Sequence, residues 1–266
     1  MLSEQRKKRD CFKVNRIREF SVEVFKKNKR TMKRLLKKKC QMLLAIAIAS
    51  PAVLMAQDKV EANVGADLVS GYIWRGQDLG NVSVQPSVSI GYKGFSLSAW
   101  GSVGFEKSDT KELDLTLGYG IGGFSVSVTD YWFNGGPGYF HYGAHDTNHT
   151  FEAQVGYDFG VLALNWYTNF AGNVGYKTNG ERAYASYFSI EAPFRLGGLD
   201  WSACVGATPW ENDFYNGGKS GFAVSEVGVK ATKELKITES WTLPLFAQVI
   251  WNPATEGAYF VAGLSF

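Results

Sequence analysis

The 266 residues predict an all-β protein, a transmembrane up-and-down antiparallel β-barrel of about twelve strands that follows an N-terminal signal peptide. Three observations predict it. Beyond residue 56 apolar and polar side chains alternate with period two, the connections between the alternating runs are short and long by turns, and aromatic residues gather near both ends of the runs.

The leader comes first in the chain. Lys33, Arg34, Lys37, Lys38 and Lys39 precede the apolar run from Met42 to Ala49, Ser50 and Pro51 follow, and Ala56 offers a small residue for cleavage before Gln57. A membrane anchor would need roughly 20 apolar residues, and Pro51 interrupts this shorter run. Cys40 lies ahead of the apolar run and follows Lys39, which argues against a lipoprotein. Because Met32 would begin a leader of ordinary length, residues 1–31 read as an upstream extension, 32–56 as the signal peptide and 57–266 as the barrel.

Charge divides at the same place. Residues 1–56 hold 16 of the 28 Lys and Arg and four of the 25 acids, so the remainder carries 12 bases against 21 acids, a net of −9. An acidic body excludes the nucleic-acid partner that the overall charge of +3 would invite. Cys11 and Cys40 fall in the leader, which leaves Cys204 alone in the body, so the fold must be held by backbone pairing and packing.

The predicted strands follow in order. The first, 58–74, runs into Ser70-Gly71-Tyr72-Ile73-Trp74. In 82–92, Val82, Val84, Pro86, Val88, Ile90 and Tyr92 alternate with Ser83, Gln85, Ser87, Ser89 and Gly91; in 95–105, Phe95, Leu97, Ala99, Gly101, Val103 and Phe105 do so with Ser96, Ser98, Trp100 and Ser102. Leu113, Leu115, Leu117 and Tyr119 mark 112–120, Phe124, Val126 and Val128 mark 124–133, and Phe151, Ala153, Val155 and Tyr157 mark 150–158. The same period supports 161–170, 182–194, 199–208, 221–237, 241–251 and 258–266. The connections 93–94, 121–123, 159–160, 195–198 and 238–240 are short, whereas 75–81, 106–111, 134–149, 171–181, 209–220 and 252–257 are longer. Tight periplasmic turns, longer external loops and an even strand number are what an outer-membrane barrel requires.

A soluble sandwich alternates too, so lipid chemistry must separate the two. Tyr92, Phe95, Tyr119, Phe124, Tyr157 and Phe194 flank the short turns, while Tyr72, Trp74, Phe105, Trp132, Phe170 and Trp251 lie toward the long loops, as two interfacial girdles. Charges avoid the apolar face except near strand ends, at Lys233, Asp130 and Arg182. A closed barrel also pairs every backbone group, which an open sheet in hydrocarbon does not.

The polar face carries Glu61, Asp67, Glu112, Asp114, Glu152, Asp158, Glu191, Asp200, Glu226 and Glu234 against Lys59, Lys230, Lys236 and Arg75. Candidate pore-lining residues are therefore Glu61, Asp67, Arg75, Glu112, Asp114, Glu152, Glu191, Asp200, Glu226 and Lys230. Such an excess of acid would concentrate cations in an open pore; the alternative is an interior of mutually paired polar groups without conduction. Twelve strands stand between the eight that side chains fill and the 16–18 of open porins, so a narrow or plugged channel is expected. Arg75 either pairs with Glu61 or Asp67 to set a constriction, since a guanidinium grips a carboxylate by two hydrogen bonds, or sits at the rim.

His141, His145 and His149 fall within nine residues, with Asp146 among them, a spacing that would suit a metal on a helix. Asn134-Gly135-Gly136-Pro137-Gly138 opens that segment as a loop, so they are weak metal candidates in an exposed polar loop. Gly118-Tyr119-Gly120-Ile121-Gly122-Gly123 matches a dinucleotide pattern in form only, because a strand rather than a helix N-terminus follows it. No nucleophile elbow is visible, so an outer-membrane lipid hydrolase ranks below transport and no cofactor is expected.

Ser70-Gly71-Tyr72-Ile73-Trp74-Arg75-Gly76, then Gln85-Pro86-Ser87-Val88 and Gly94-Phe95-Ser96-Leu97-Ser98-Ala99-Trp100-Gly101-Ser102, resemble the TorF-like porin family and small outer-membrane proteins of Bacteroides-type bacteria over most of residues 57–266. The resemblance implies a barrel and a pore, and supplies neither substrate nor catalytic residues. The partners expected are outer-membrane lipid, small solutes and the barrel-assembly machinery, which would engage the last strand ending in Phe266. A closed barrel with a structural or loop-mediated adhesion role is the alternative.

Overall fold

The computed structural model of the chain describes residues 59–134, 136–144, 146–173, 175–216 and 219–266. The leader expected over 1–56 lies outside them, as does His145.

Among the described residues fourteen strands form: β1 (Glu61–Val69), β2 (Tyr72–Trp74), β3 (Gln77–Gly80), β4 (Ser83–Tyr92), β5 (Phe95–Gly104), β6 (Lys111–Ile121), β7 (Phe124–Phe133), β8 (His149–Asp158), β9 (Ala163–Gly172), β10 (Ser186–Leu196), β11 (Leu199–Thr208), β12 (Ala223–Lys236), β13 (Thr242–Asn252) and β14 (Gly257–Ser265). Twelve of them, β1 and β4 to β14, close into one antiparallel barrel in which sequence neighbours pair throughout. The other two make a separate hairpin.

Turn chemistry sets the register at one end. Tyr92 faces Phe95 across Lys93-Gly94, whose φ angles of 48° and 86° are the paired positive values that a two-residue type I′ turn needs. That turn matches strand twist, so β4 and β5 leave it already aligned. The opposite end carries the long loops.

The wall closes where β1 meets β14. Only Asp67, Leu68 and Val69 register with Ser265, Leu264 and Gly263, supplemented by backbone bonds joining Ala66 with Phe266 and Ser70 with Ala262. By contrast, β1 pairs with β4 from Glu61 to Val69.

Period two decides what each face meets. Leu117, Val249 and Phe260 point outward and are 60%, 58% and 67% exposed, while their neighbours in sequence turn inward. Val88, Ile90, Leu97, Leu115, Val128 and Val155 extend this apolar outer surface around the wall. A contiguous apolar exterior on a sealed barrel is suited to lipid and costly in water, so this is a membrane-spanning barrel of the outer-membrane type.

Two expectations need correction. The first strand does not run unbroken from 58 to 74: it stops at Val69, and Tyr72 and Trp74 belong to the separate hairpin instead of an interfacial girdle. Nor is the inner face uniformly hydrophilic. Val69, Phe246 and Val261 form a buried cluster inside the wall with Ile73 of the hairpin packed on it, because a segment of chain, not water, occupies that part of the interior.

Candidate functional site: a hairpin across the lumen

The hairpin β2–β3 is pinned by a two-residue turn, Arg75-Gly76, in which Trp74 faces Gln77. Both turn residues have positive φ, 51° and 79°. Glycine takes such a value freely, whereas at Arg75 the left-handed backbone costs about 1–3 kcal/mol and persists only where surrounding contacts impose it.

Those contacts come from all sides of the barrel. At one end of the hairpin, the Tyr72 hydroxyl donates to Glu112 of β6 at 2.8 Å, and its ring lies 5.5 Å from Trp100 of β5. At the tip, the Gly76 carbonyl accepts from Asn252 of β13 at 2.9 Å. The hairpin therefore crosses the interior like a bar. Asp109, in the loop after β5, secures its base by accepting from the backbone N–H groups of Glu106 and Asn81, which hold this carboxyl below the usual carboxylate range.

At the centre sits Arg75, only 9% exposed, paired with a 2% exposed Glu152 of β8. The pair is bidentate, with Nη1 at 2.6 Å and Nη2 at 2.8 Å from the two carboxylate oxygens. Tyr131 of β7 donates to one of those oxygens at 2.9 Å and Tyr215 to the other at 3.0 Å. Arg75 also contacts the Tyr215 hydroxyl. Rings surround the guanidinium: Tyr167 of β9 at 3.9 Å, Trp74 at 4.4 Å, Tyr187 of β10 at 4.8 Å and Tyr215 at 5.5 Å. A delocalised cation gains from aromatic faces as well as from a fork-shaped carboxylate, so this arrangement suits arginine better than lysine.

Tyr215 reaches the centre because its loop folds inward. Asn212 donates to Thr208 at 2.8 Å and accepts from the Tyr215 N–H at 2.7 Å, and Asn216 donates to the Lys219 carbonyl at 2.9 Å. Asparagine side chains thus replace the backbone partners that an irregular buried loop lacks.

The predicted candidates divide accordingly. Glu112, Asp114, Glu152 and Glu226 are buried on the inner face, Glu226 accepting from Tyr187 at 2.6 Å. Glu191 accepts from Ser189 at 3.0 Å, and Lys230 stands over the Phe246 ring at 3.8 Å. Asp67 and Asp200 are half-buried on the inner face, and Glu61 is exposed at the turn end. Arg75 is neither a rim residue nor the partner of Glu61 or Asp67. The structure unites it with Glu152, a predicted lining residue, and with four tyrosines that the sequence had not marked as candidates, Tyr131, Tyr167, Tyr187 and Tyr215. The adjacent Phe214-Tyr215, in a stretch 212–219 otherwise built of Asn, Asp, Gly and Lys, was the available signal for the last of these.

His149 is fully buried on the outer face of β8, with Nδ1 at 2.7 Å from Asp130 and Tyr142 stacked on its ring at 4.0 Å, so it belongs to the wall and not to the exposed loop expected there, of which Phe140, His141 and Tyr142 are exposed. His141 lies at the surface beside Asp146. Among the described residues no group of three His, Cys, Asp or Glu is placed to hold a metal.

Gly76→Ala is expected to expel the tip. An added Cβ would overlap the Ser225 carbonyl oxygen, and the left-handed backbone alone costs about 1–2 kcal/mol. Limited proteolysis in detergent should cut residues 72–80 of the variant and spare those of the parent.

No protein-family model and no curated protein matches the chain. Among solved structures it is similar to the NanC porin, at 8% identity and a TM-score of 0.40 over 76% of this chain and 96% of that one. The KdgM porin aligns at 7% identity and a TM-score of 0.40, covering 78% and 98% of the two chains. An outer-membrane channel from Pseudomonas putida F1 aligns at 14% identity and a TM-score of 0.37, covering 82% and 98%.

Proposed function

We propose that this chain is an outer-membrane porin giving passive, cation-preferring passage to small solutes, closed at rest by the hairpin β2–β3. The observation that carries this reading is the inner face itself. Buried carboxylates Glu112, Asp114, Glu152 and Glu226 face a lumen whose central cation, Arg75, is delivered by a segment foreign to the wall. With the bar withdrawn, a low-dielectric wall would focus the field of those acids and draw cations in. No step of bond making is assigned to it. We also propose that residues 32–56 direct export, that Phe266 presents the last strand to the barrel-assembly machinery, and that the source is a Bacteroides-type bacterium.

In planar bilayers under a salt gradient, the parent is expected to show rare openings whose reversal potential lies toward that of potassium. A reversal potential at or beyond zero toward chloride would refute the cation preference. The packed interior favours one other reading, a permanently closed barrel with a structural or loop-mediated adhesion role. Absence of conductance in both the parent and Gly76→Ala would establish it instead.

A further inference from the structure

We propose that the cage around Arg75 is a recognition site for free guanidinium-bearing cations, and that the hairpin is a tethered occupant which such a solute displaces. This rests on the channel reading, since a solute must reach the lumen.

The receptor half of the cage belongs to the wall. Glu152 presents both oxygens in the plane that a fork of N–H donors requires, and Tyr131 from the neighbouring strand fixes one of them. Tyr167 and Tyr187, whose faces the guanidinium meets at 3.9 and 4.8 Å, are wall residues as well. When the hairpin leaves, only Arg75 and Trp74 go with it. What stays is a bidentate acceptor beside two adjacent aromatic rings 5.9 Å apart, complementary to a planar cation and poorly matched to a compact ammonium.

A second observation is independent of Arg75. Asp114, next but one to Glu112 on the same face of β6 and 9% exposed, has an Oδ1 with no hydrogen-bond partner among the described residues. A buried carboxyl oxygen left without a partner is costly, so even the occupied lumen retains an unmet demand for a hydrogen-bond donor. Withdrawal of the hairpin raises that demand, and a free cation answers it.

The tether is also built to yield. Arg75 holds its place at a φ of 51°, a strain that a free ligand does not carry. Attachment nevertheless gives it an effective concentration in the millimolar range, so solutes compete weakly against the parent hairpin.

The test uses the full mature chain in detergent micelles, titrated calorimetrically with methylguanidinium and, for comparison, methylammonium. Arg75→Gly keeps the turn, because glycine accepts the left-handed backbone, and it is expected to bind methylguanidinium at least about tenfold more tightly than the parent, with methylammonium weaker. Adding Glu152→Gln should weaken that binding by about tenfold or more, the loss of a charge-assisted hydrogen bond. Equal binding by Arg75→Gly and the parent, or binding indifferent to Glu152→Gln, would overturn the proposal. Arg75→Asn, which also tolerates the turn, gives the same reading if the glycine variant loses its compact form on unheated electrophoresis. Bilayer recordings on the same preparations separate the two ideas. Tight methylguanidinium binding without conductance would leave the cage and remove the channel, while conductance with no such binding would do the reverse.

Discussion

Replacing Glu152 by Ala is expected to unlatch the hairpin while leaving the barrel folded. The substitution removes both carboxylate acceptors of the Arg75 guanidinium and the common partner of Tyr131 and Tyr215. Breaking a buried ion pair from one side costs about 3–5 kcal/mol, because the surviving charge is left without compensation. The backbone at Arg75 adds its own strain once nothing imposes the turn. The bar can escape that cost by moving into water, whereas the wall cannot, since its strands are paired all round. The loss should therefore appear as release. Proteolysis in residues 72–80 and a rise in single-channel open probability are the expected results. Unchanged protection and conductance would show that Arg75 is not the latch.

Leu117→Arg should damage the protein by a different route. Leu117 lies in mid-strand on the outer face of β6, 60% exposed, between Leu97 and Val128 on the adjacent strands. An arginine near the bilayer midplane costs about 2–4 kcal/mol. The same change on a water-facing sheet would shift stability by roughly 0.5 kcal/mol or less. Urea titration of the protein folded into phospholipid vesicles measures the difference directly. A midpoint indistinguishable from the parent would mean that this surface does not face lipid.

The wall was legible because a strand's two-residue period and its turn chemistry are local. Lys93-Gly94 and the runs on either side of it announce a hairpin within a dozen residues, and β4 and β5 form there. The hairpin β2–β3 was hidden for the opposite reason. Tyr72-Ile73-Trp74 continues the apolar rhythm of β1, and nothing local distinguishes a strand that stays in the wall from one that turns into the lumen. Likewise Val69, Phe246 and Val261 are apolar residues on the inner face, which makes sense only once Ile73 is known to lie against them. Arg75 stood out in the sequence as one of four bases set against ten acids on the polar face. Its partner did not, because Glu152 is 77 residues away and Tyr215 is 140 away, and barrel closure alone chooses among the inward carboxylates. His149 was misplaced for a related reason: a glycine-rich loop precedes it, but its own position already belongs to β8, where Asp130 on the adjacent strand can reach it.

The short junction between β1 and β14 has a mechanical consequence. β1 is fastened to β4 along nine residues and to β14 only toward its C-terminal end, from Asp67 to Val69, and the hairpin springs from that same end. Stress on the cylinder will open it at this placket first, with β1 swinging out as a flap on β4. The stopper is sewn to that flap, so the garment cannot come undone there without drawing its own cork.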